Sequence, residues 1–571
     1  MSGRVSTLDA LRIRARQLAQ RQLPARPLPP ARTPRLRPVA SAPLFGDAKA
    51  GADLAAGVWE FSGQRIEVGA GHPFGLTLPS ERFADWVHGF GWLPDLLSAP
   101  GGDDAAKRLV LEWMAAFPAK TQNRFVDDPD RLARRLFQWG RAFAALSDAA
   151  GTVAERYHLQ IRRLRAAERD LTPGLAQLRS ASAVVMFNAR LQDKGETGLM
   201  RALDTLDAHL AVQVLPDGGH VSRSPLATLT ALEIALVTDA VLGARGVSGS
   251  AALGRAIDRL GPMVRTLTHT DGTLGVFQGG SAGDPDRIKT ILNAAPGEVQ
   301  GFAFGPHTGF HRLDLGENVL LVDTLGVAPR PFDLDAHLAP LAIELSTPEG
   351  RLIVNCGWHA GAAERWHRPV RSAAAHSTLI LDDRSPGAIL EPGWAQDALG
   401  AAVSRDPGKV TARRKEQVGG IWLECTHEGY KAEYGLVHRR RLFMGEDGDD
   451  IRGEDSLLVP VGDTPLRRDR VPFALRFHFH PDVRVSLAQD LSSALLVQRG
   501  RAGWRFRTDA GPLAVEPSIY LGGGPRPVRA QQLVIRGEAY GDGDGQGRDN
   551  RVRWSLRRLR PRRTTDGEGT S

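Results

Sequence analysis

The sequence predicts an α+β protein of more than one domain, with helices in the first half and antiparallel β-structure in the second, and three observations support this. The chain has 571 residues, more than one hydrophobic core usually supports, so at least two substantial domains are expected. From about Phe83 to Thr268 apolar residues recur at helical spacing; Leu132, Leu136 and Trp139, for example, share one face. From about Gly301 the period drops to two, in short Val-, Ile-, Leu- and Phe-rich runs divided by Gly, Asp and Pro.

Residues 1–45 are rich in Arg and Pro and are expected to form a disordered basic tail. Val58 to Leu78 reads as a few extended segments. Helices are predicted over Ala105 to Phe117, Pro129 to Asp148, Val153 to Arg169, Pro173 to Leu191, Gly198 to Leu215, Pro225 to Leu242 and Ala251 to Thr268. Short breaks with Pro, Gly or Asp join them. Such a string closes as a bundle, a solenoid or a toroid, and periodicity does not separate the three. Strands are predicted at Val319 to Asp323, Leu352 to Asn355, Ser377 to Leu381, Ile421 to Thr426, Leu436 to Met444, Ala474 to His480, Ala494 to Gln498, Trp504 to Arg507 and Gln532 to Arg536. That number of strands implies two stacked sheets. The expected domains are therefore residues 46–300 and 301–545, with a second basic tail over 546–571.

The formal net charge is +8, which suits an anionic partner, but much of the excess lies in the two termini. No run of about 18 apolar residues is present, and Glu233 and Asp239 interrupt the most apolar stretch, so no transmembrane segment is expected. The N-terminus lacks the apolar core of a secretory signal, which points to the cytoplasm. Cys356 and Cys425 lie in strand-like apolar surroundings and read as core residues. The Arg-rich ends carry no nucleic-acid recognition motif, so no specific nucleic-acid partner is assigned.

The segment Leu215-Pro-Asp-Gly-Gly-His-Val-Ser-Arg-Ser-Pro225 resembles a signature of bacterial heparinase II/III-like proteins. Further matches follow in the same order: Pro306-His-Thr-Gly-Phe-His-Arg312, Ala336-His-Leu-Ala-Pro-Leu-Ala-Ile-Glu-Leu345, Leu352-Ile-Val-Asn-Cys-Gly357, Ala375-His-Ser-Thr-Leu-Ile-Leu-Asp382, His427-Glu-Gly-Tyr430 and Val437-His-Arg-Arg-Arg441. The resemblance implies an N-terminal incomplete (α/α) toroid followed by a C-terminal antiparallel β-sandwich. It also implies a polysaccharide lyase acting on an acidic, uronate-containing polysaccharide by β-elimination, and a periplasmic or envelope location as the alternative to the cytoplasm.

That chemistry needs a donor to neutralise the uronate carboxylate, a base to remove the C5 proton and an acid for the departing oxygen. His220 is the candidate for proton transfer, set after Gly218 and Gly219, which allow a tight turn; the other reading is a loop or helix-capping hydrogen bond. Arg223 is the candidate carboxylate binder, or else a structural ion pair with Asp217. Asp217, Trp92 and Trp139 are assigned to substrate contact, although aromatic residues of this kind are more often core. Family lyases use a toroid tyrosine, and none lies between residues 158 and 429 here, so Tyr430, or Tyr157, is the substitute. The resemblance further implies a structural zinc held by His337, Asn355 and His376; Asn355 supplies a neutral amide where relatives have a carboxylate, and Asp335 is a candidate to compensate. The competing function is a non-catalytic acidic-glycan-binding or envelope-assembly protein with the same fold.

Overall fold

The computed structural model describes Leu11, Leu28 and residues 31–40, 42–120, 123–148, 150–192, 195–460, 469–499, 502–540 and 550–559. Eleven helices among these residues build the first half: α1 (Ala48–Ala55), α2 (Glu81–His88), α3 (Leu93–Ser98), α4 (Gly102–Ala116), α5 (Pro129–Leu146), α6 (Thr152–Ala166), α7 (Leu175–Ala189), α8 (Gly195–Gln213), α9 (Pro225–Ala244), α10 (Ala251–Thr266) and α11 (Pro285–Ala294). A hairpin, β1 (Val58–Phe61) and β2 (Gln64–Glu67), sits between α1 and α2. Local chemistry sets the starts. The side chains of Ser80, Asp128, Ser224, Ser250 and Asp284 accept hydrogen bonds from the first free backbone N–H groups of α2, α5, α9, α10 and α11, and Pro occupies the opening turn of α5, α9 and α11.

Helix α9 is apolar nearly all round because it is the central helix of the toroid. Leu232, Val237, Val241 and Leu242 are fully buried, and the helix packs on α5, α7, α10 and α11. It is the one helix among the described residues long and apolar enough to cross a membrane, and 72% of that stretch is buried inside the protein.

The second half contains two large antiparallel sheets and a two-stranded one, Ala388–Ile389 with Val403–Arg405. Its strands are β3 (Phe304–Gly305), β4 (Phe310–Leu315), β5 (Asn318–Asp323), β6 (Ile343–Thr347), β7 (Gly350–Val354), β8 (Leu379–Leu381), β9 (Ala388–Ile389), β10 (Val403–Arg405), β11 (Val410–Gln417), β12 (Gly420–His427), β13 (Val437–Gly445), β14 (Asp450–Leu458), β15 (Val471–Phe479), β16 (Val483–Leu487), β17 (Ser493–Gln498), β18 (Ala502–Thr508), β19 (Leu513–Tyr520), β20 (Val528–Ala539) and β21 (Arg551–Leu559). One sheet runs β11-β12-β13-β14-β21-β18-β17-β16 and the other β19-β20-β15-β7-β6-β5-β4-β3, with β8 added against β15. Leu320, Leu345, Leu442, Met444, Phe477 and Trp504 fill the space between them, as expected when alternate residues of both inner faces interdigitate.

The ends of the chain depart from expectation. The tail predicted from residue 546 contains β21, which sits inside the eight-stranded sheet between β14 and β18. Val552, Trp554 and Leu556 point inward along it, while Arg551, Arg553 and Arg557 face outward. At the other end Leu36 bridges to Leu191, and the Arg37 N–H donates to the Arg190 carbonyl at 2.7 Å, so part of the Pro- and Arg-rich segment is laid on the toroid. Arg12, Arg14, Arg16, Arg21, Arg26, Arg562 and Arg563 lie outside the described residues.

Cys356 and Cys425 are buried and unbridged. One buried ionic group fastens the sheets together. Asp455 accepts from Arg440 Nε and His438 Nε2, each at 2.8 Å, and from Trp554 Nε1 at 2.9 Å. Arg440 in turn donates across the sandwich to the carbonyls of Leu341 (2.7 Å) and Ser377 (2.9 Å). Burial alone disfavours the Asp455 carboxylate, but the Arg440 charge and the His438 hydrogen bond hold its pKa well below the ordinary value. Replacing Asp455 leaves the Arg440 charge buried without its counter-ion and the His438 and Trp554 donors without their acceptor. Asp455→Ala should therefore cost about 3–5 kcal/mol, read as a lowered denaturant midpoint; a midpoint within experimental error of the parent would contradict this.

Candidate functional site at the joint between toroid and sandwich

The loop between α8 and α9 carries the motif residues and is folded by its glycines. Leu215 N donates to Gly219 O and Gly218 N to Leu215 O, both at 2.8 Å. Gly218 has φ +90°, and a Cβ there would lie 2.0 Å from the Arg259 carbonyl. At Gly219 a Cβ would lie 1.9 Å from Thr308 Oγ1. The loop is thus pressed against the first strands of the sandwich, and only glycine fits at either position.

This proximity sets what the polar residues do. Asp217 accepts from the backbone N–H groups of His307 and Thr308 and from Thr308 Oγ1, all at 2.7 Å. Arg223, at φ +64°, is 2% exposed. Its Nε donates to Thr308 O at 2.8 Å, and its two other nitrogens donate to Gly326 O and to the Asp323 carboxylate. The ion pair expected between Arg223 and Asp217 is therefore replaced by one with Asp323, and neither residue faces a ligand.

His220 is 2% exposed. Its Nδ1 accepts from the Ser222 N–H at 3.1 Å, and its Nε2 faces Gln213 Oε1 at 3.3 Å, which together assign the Nε2–H tautomer. The Phe332 ring stands edge-on to the imidazole, with centroids 6.5 Å apart, and the backbone at Gly174 lies against both rings. Burial lowers the His220 pKa to about 4. Of the two readings of His220, proton transfer or a loop hydrogen bond, the structure has the second, with a neutral imidazole sealed in the loop.

The zinc candidates join the same network. Asp323 also accepts from Gln278 Nε2 at 2.7 Å, and Gln278 Oε1 accepts from the His337 N–H at 3.0 Å. The Gly279 N–H donates to His337 Nε2 at 2.9 Å, His337 Nδ1 and His376 Nε2 are 2.8 Å apart, and His376 Nδ1 donates to Ser372 O at 2.8 Å. One neutral tautomer on each ring satisfies these three bonds and leaves the Gln278 N–H 3.2 Å from the protonated His337 Nδ1, and burial lowers both histidine pKa values. Asn355 belongs to a different cluster: its Oδ1 accepts from Ser377 N and its Nδ2 donates to Glu344. Asp335 does not compensate, because it pairs with His367 at 2.8 Å. Both ring nitrogens of each histidine are occupied and no carboxylate joins them, so the residues present do not fit a zinc ion.

Tyr430 is also core. It is 1% exposed, its hydroxyl lies between the backbone of Leu379, Leu381 and Arg384, and burial raises its pKa. Tyr157 is likewise buried, under Phe143 and Phe187. Trp92 and Trp139 are fully buried, Trp92 donating to Val87 O at 2.9 Å and both packing on Phe90. They are core aromatics and offer no face to a sugar.

Sequence reasoning missed a second loop of the same kind. Thr268 to Leu274 repeats the Asp-Gly turn and the closing bridge of Val214 to His220. From it His269 reaches Glu344 at 3.1 Å and Asp271 reaches Arg351 at 3.3 Å, while Arg351 and Glu344 pair at 3.0 Å. The recurring Asp-Gly at 217–218 and 271–272 was the available signal.

A base whose folded-state pKa is depressed binds its proton more weakly in the folded than in the unfolded chain. Stability from neutral His220 is therefore complete above its unfolded pKa near 6.5 and is lost as pH falls toward 4, by up to about 1.4 kcal/mol per pH unit. His220→Gln should lose less stability than the parent between about pH 7 and pH 5; equal losses in urea titrations would show that His220 is not buried in its neutral form.

Comparison with known proteins agrees with this architecture. The family described as "Heparinase II/III-like, C-terminal" matches residues 298–555. FtsZ-localized protein C of Caulobacter vibrioides is 34% identical over 526 residues, 89% of this chain and 87% of that protein. Among solved structures, heparinase III superposes with TM-score 0.63 over 96% of this chain and 90% of that one, at 13% identity. Heparan sulfate lyase HepC from Pedobacter heparinus gives 0.59 over 99% and 90%, also at 13% identity. These likenesses carry the fold, a helical toroid followed by antiparallel sheets, and the chain belongs to the heparinase II/III-like family.

Proposed function

We propose that this chain is a non-catalytic assembly protein built on the heparinase II/III fold, which acts at the site where FtsZ gathers. The observation that carries the reading is the sealed His220: a general base must reach the proton it abstracts, and both nitrogens of this imidazole are occupied inside a loop capped by Phe332. Arg223, the residue suited to neutralising a uronate, is spent on Asp323 and backbone carbonyls. The kinship with a protein named for its localisation with FtsZ supports the place where FtsZ gathers as the place of action, and uronate β-elimination is the activity this reading sets aside.

Two measurements test the proposal. Incubation with heparin, heparan sulfate and other uronate-bearing polymers should release no ultraviolet-absorbing unsaturated ends, and a fluorescent fusion should coincide with FtsZ in the native host. Product release that is lost in His220→Ala would overturn the non-catalytic reading, and a distribution independent of FtsZ would overturn the assembly role. A metal-independent joint also follows from the histidine pair. Dialysis against a chelator should leave the thermal midpoint unchanged, whereas a drop reversed by zinc would show that the pair binds metal.

A further inference from the structure

The outer face of the eight-stranded sheet carries far more cationic than anionic side chains. Glu454 on β14 lies within 4 Å of four guanidiniums, those of Arg439, Arg441, Arg551 and Arg553. Asp450 is shared by Arg452 at 2.6 Å and Arg557 at 3.2 Å. Arg505 and Arg507 on β18 are exposed and lie within 4 Å of no carboxylate among the described residues, although the Arg507 charge helps to lower the pKa of Asp490. Like charges crowd each other here: burial and the neighbouring Arg441 lower the pKa of Arg439. Carboxylates at Asp450, Glu454 and Glu424 do not balance this set, and the excess positive potential favours an anionic partner.

The face also has relief. Strand register places Arg452, Ser555 and Arg507 side by side on β14, β21 and β18. The small Ser555 between two arginines leaves a depression of about 670 Å³, walled by Arg441, Arg452, Arg507 and Arg553 against Glu454 and Asp509 and reaching Trp422. Trp422 is 42% exposed and packs on Phe443 at 4.7 Å between ring centroids, and the Arg452 guanidinium lies over the far part of that pair, 5.6 Å from the Phe443 ring. The aromatic patch at one end offers an apolar seat beside the cations.

The periodicity says which anion fits. Along β21 the outward residues Arg551, Arg553, Ser555 and Arg557 recur at every second position, a step of about 6.6–6.8 Å. An extended peptide with acidic residues at alternate positions presents carboxylates at that same step, all on one face. We infer that this face is a docking surface for an extended acidic peptide segment of a partner protein, held by charge along β21 and β18, whose end crosses β14 and β13 along the depression to seat one apolar side chain at Trp422. The surface is remote from the joint described above and does not depend on the proposal that the chain is non-catalytic.

The test uses the whole chain and a fluorescein-labelled peptide of alternating Glu and Thr with one terminal Leu, followed by anisotropy. The comparison probes are a peptide of the same composition with its Glu residues in one block, a heparin oligosaccharide, and phosphatidylglycerol vesicles. The alternating peptide should bind more tightly than the block peptide, with an affinity that falls as salt rises. The double variant Arg505→Ser/Arg507→Ser removes no internal ion pair, so its unfolding midpoint should match the parent, yet its affinity for the alternating peptide should drop about tenfold. Trp422→Ala should weaken the peptide carrying Leu and leave one without Leu unaffected. Equal binding of the two peptides, unchanged binding in the double variant, or a preference of these arginines for the oligosaccharide or the vesicles would each overturn the assignment.

Discussion

The buried contact between Arg223 and Asp323 is the constraint on which the rest of this architecture depends. A guanidinium withdrawn from water is tolerable only when its donors are met, and here one side chain from the toroid is met by Thr308, Gly326 and Asp323 of the sandwich. Asp217, on the same loop, grips Thr308 from the other side. The second loop repeats the arrangement with the ion pair reversed, Asp271 of the loop meeting Arg351 of the sandwich, while His269 meets Glu344. Two Asp-Gly loops thus clamp the ring of helices onto one sheet, and the burial of His220 follows from how tightly the first of them closes.

The clamp explains why residues with a catalytic look serve structure here. From Arg223 through Asp323 and Gln278 to His337 and His376 the polar groups form one connected chain. A fully satisfied buried network rigidifies and specifies a single arrangement, whereas a half-satisfied one is costly. Inserting a substrate carboxylate at Arg223, or a metal between the histidines, means breaking bonds that hold the two halves together. Residue types that suit uronate chemistry thus form bonds between toroid and sandwich here.

Much of the fold was legible in the sequence. Helix α5 begins at Pro129 after the Asp128 cap, as its signals dictate, and β12 and β13 follow the alternation of Ile421 to Met444. β21 was hidden because its outward arginines resemble those of a solvated tail and mask the inward Val552, Trp554 and Leu556. For the site, the loop at Asp217 to His220 was recognisable as special, but its purpose was not. Arg223 finds its partners 85 and 100 residues away, and local spacing carries no information about such contacts. Trp92 and Trp139 illustrate the same limit, since an aromatic suited to stacking on a sugar is equally suited to a core, and only packing decides.

Arg223 and Asp323 act as one structural unit, and a double-mutant cycle measures their coupling. Arg223→Met, Asp323→Leu and the combined variant should each be purified and unfolded in urea under one set of conditions. Each single change should be strongly destabilising and the pair much less so than their sum, with a coupling of about 2–3 kcal/mol. Additive losses would contradict the account, because they would mean that the two charges do not depend on each other to hold the toroid against the sandwich.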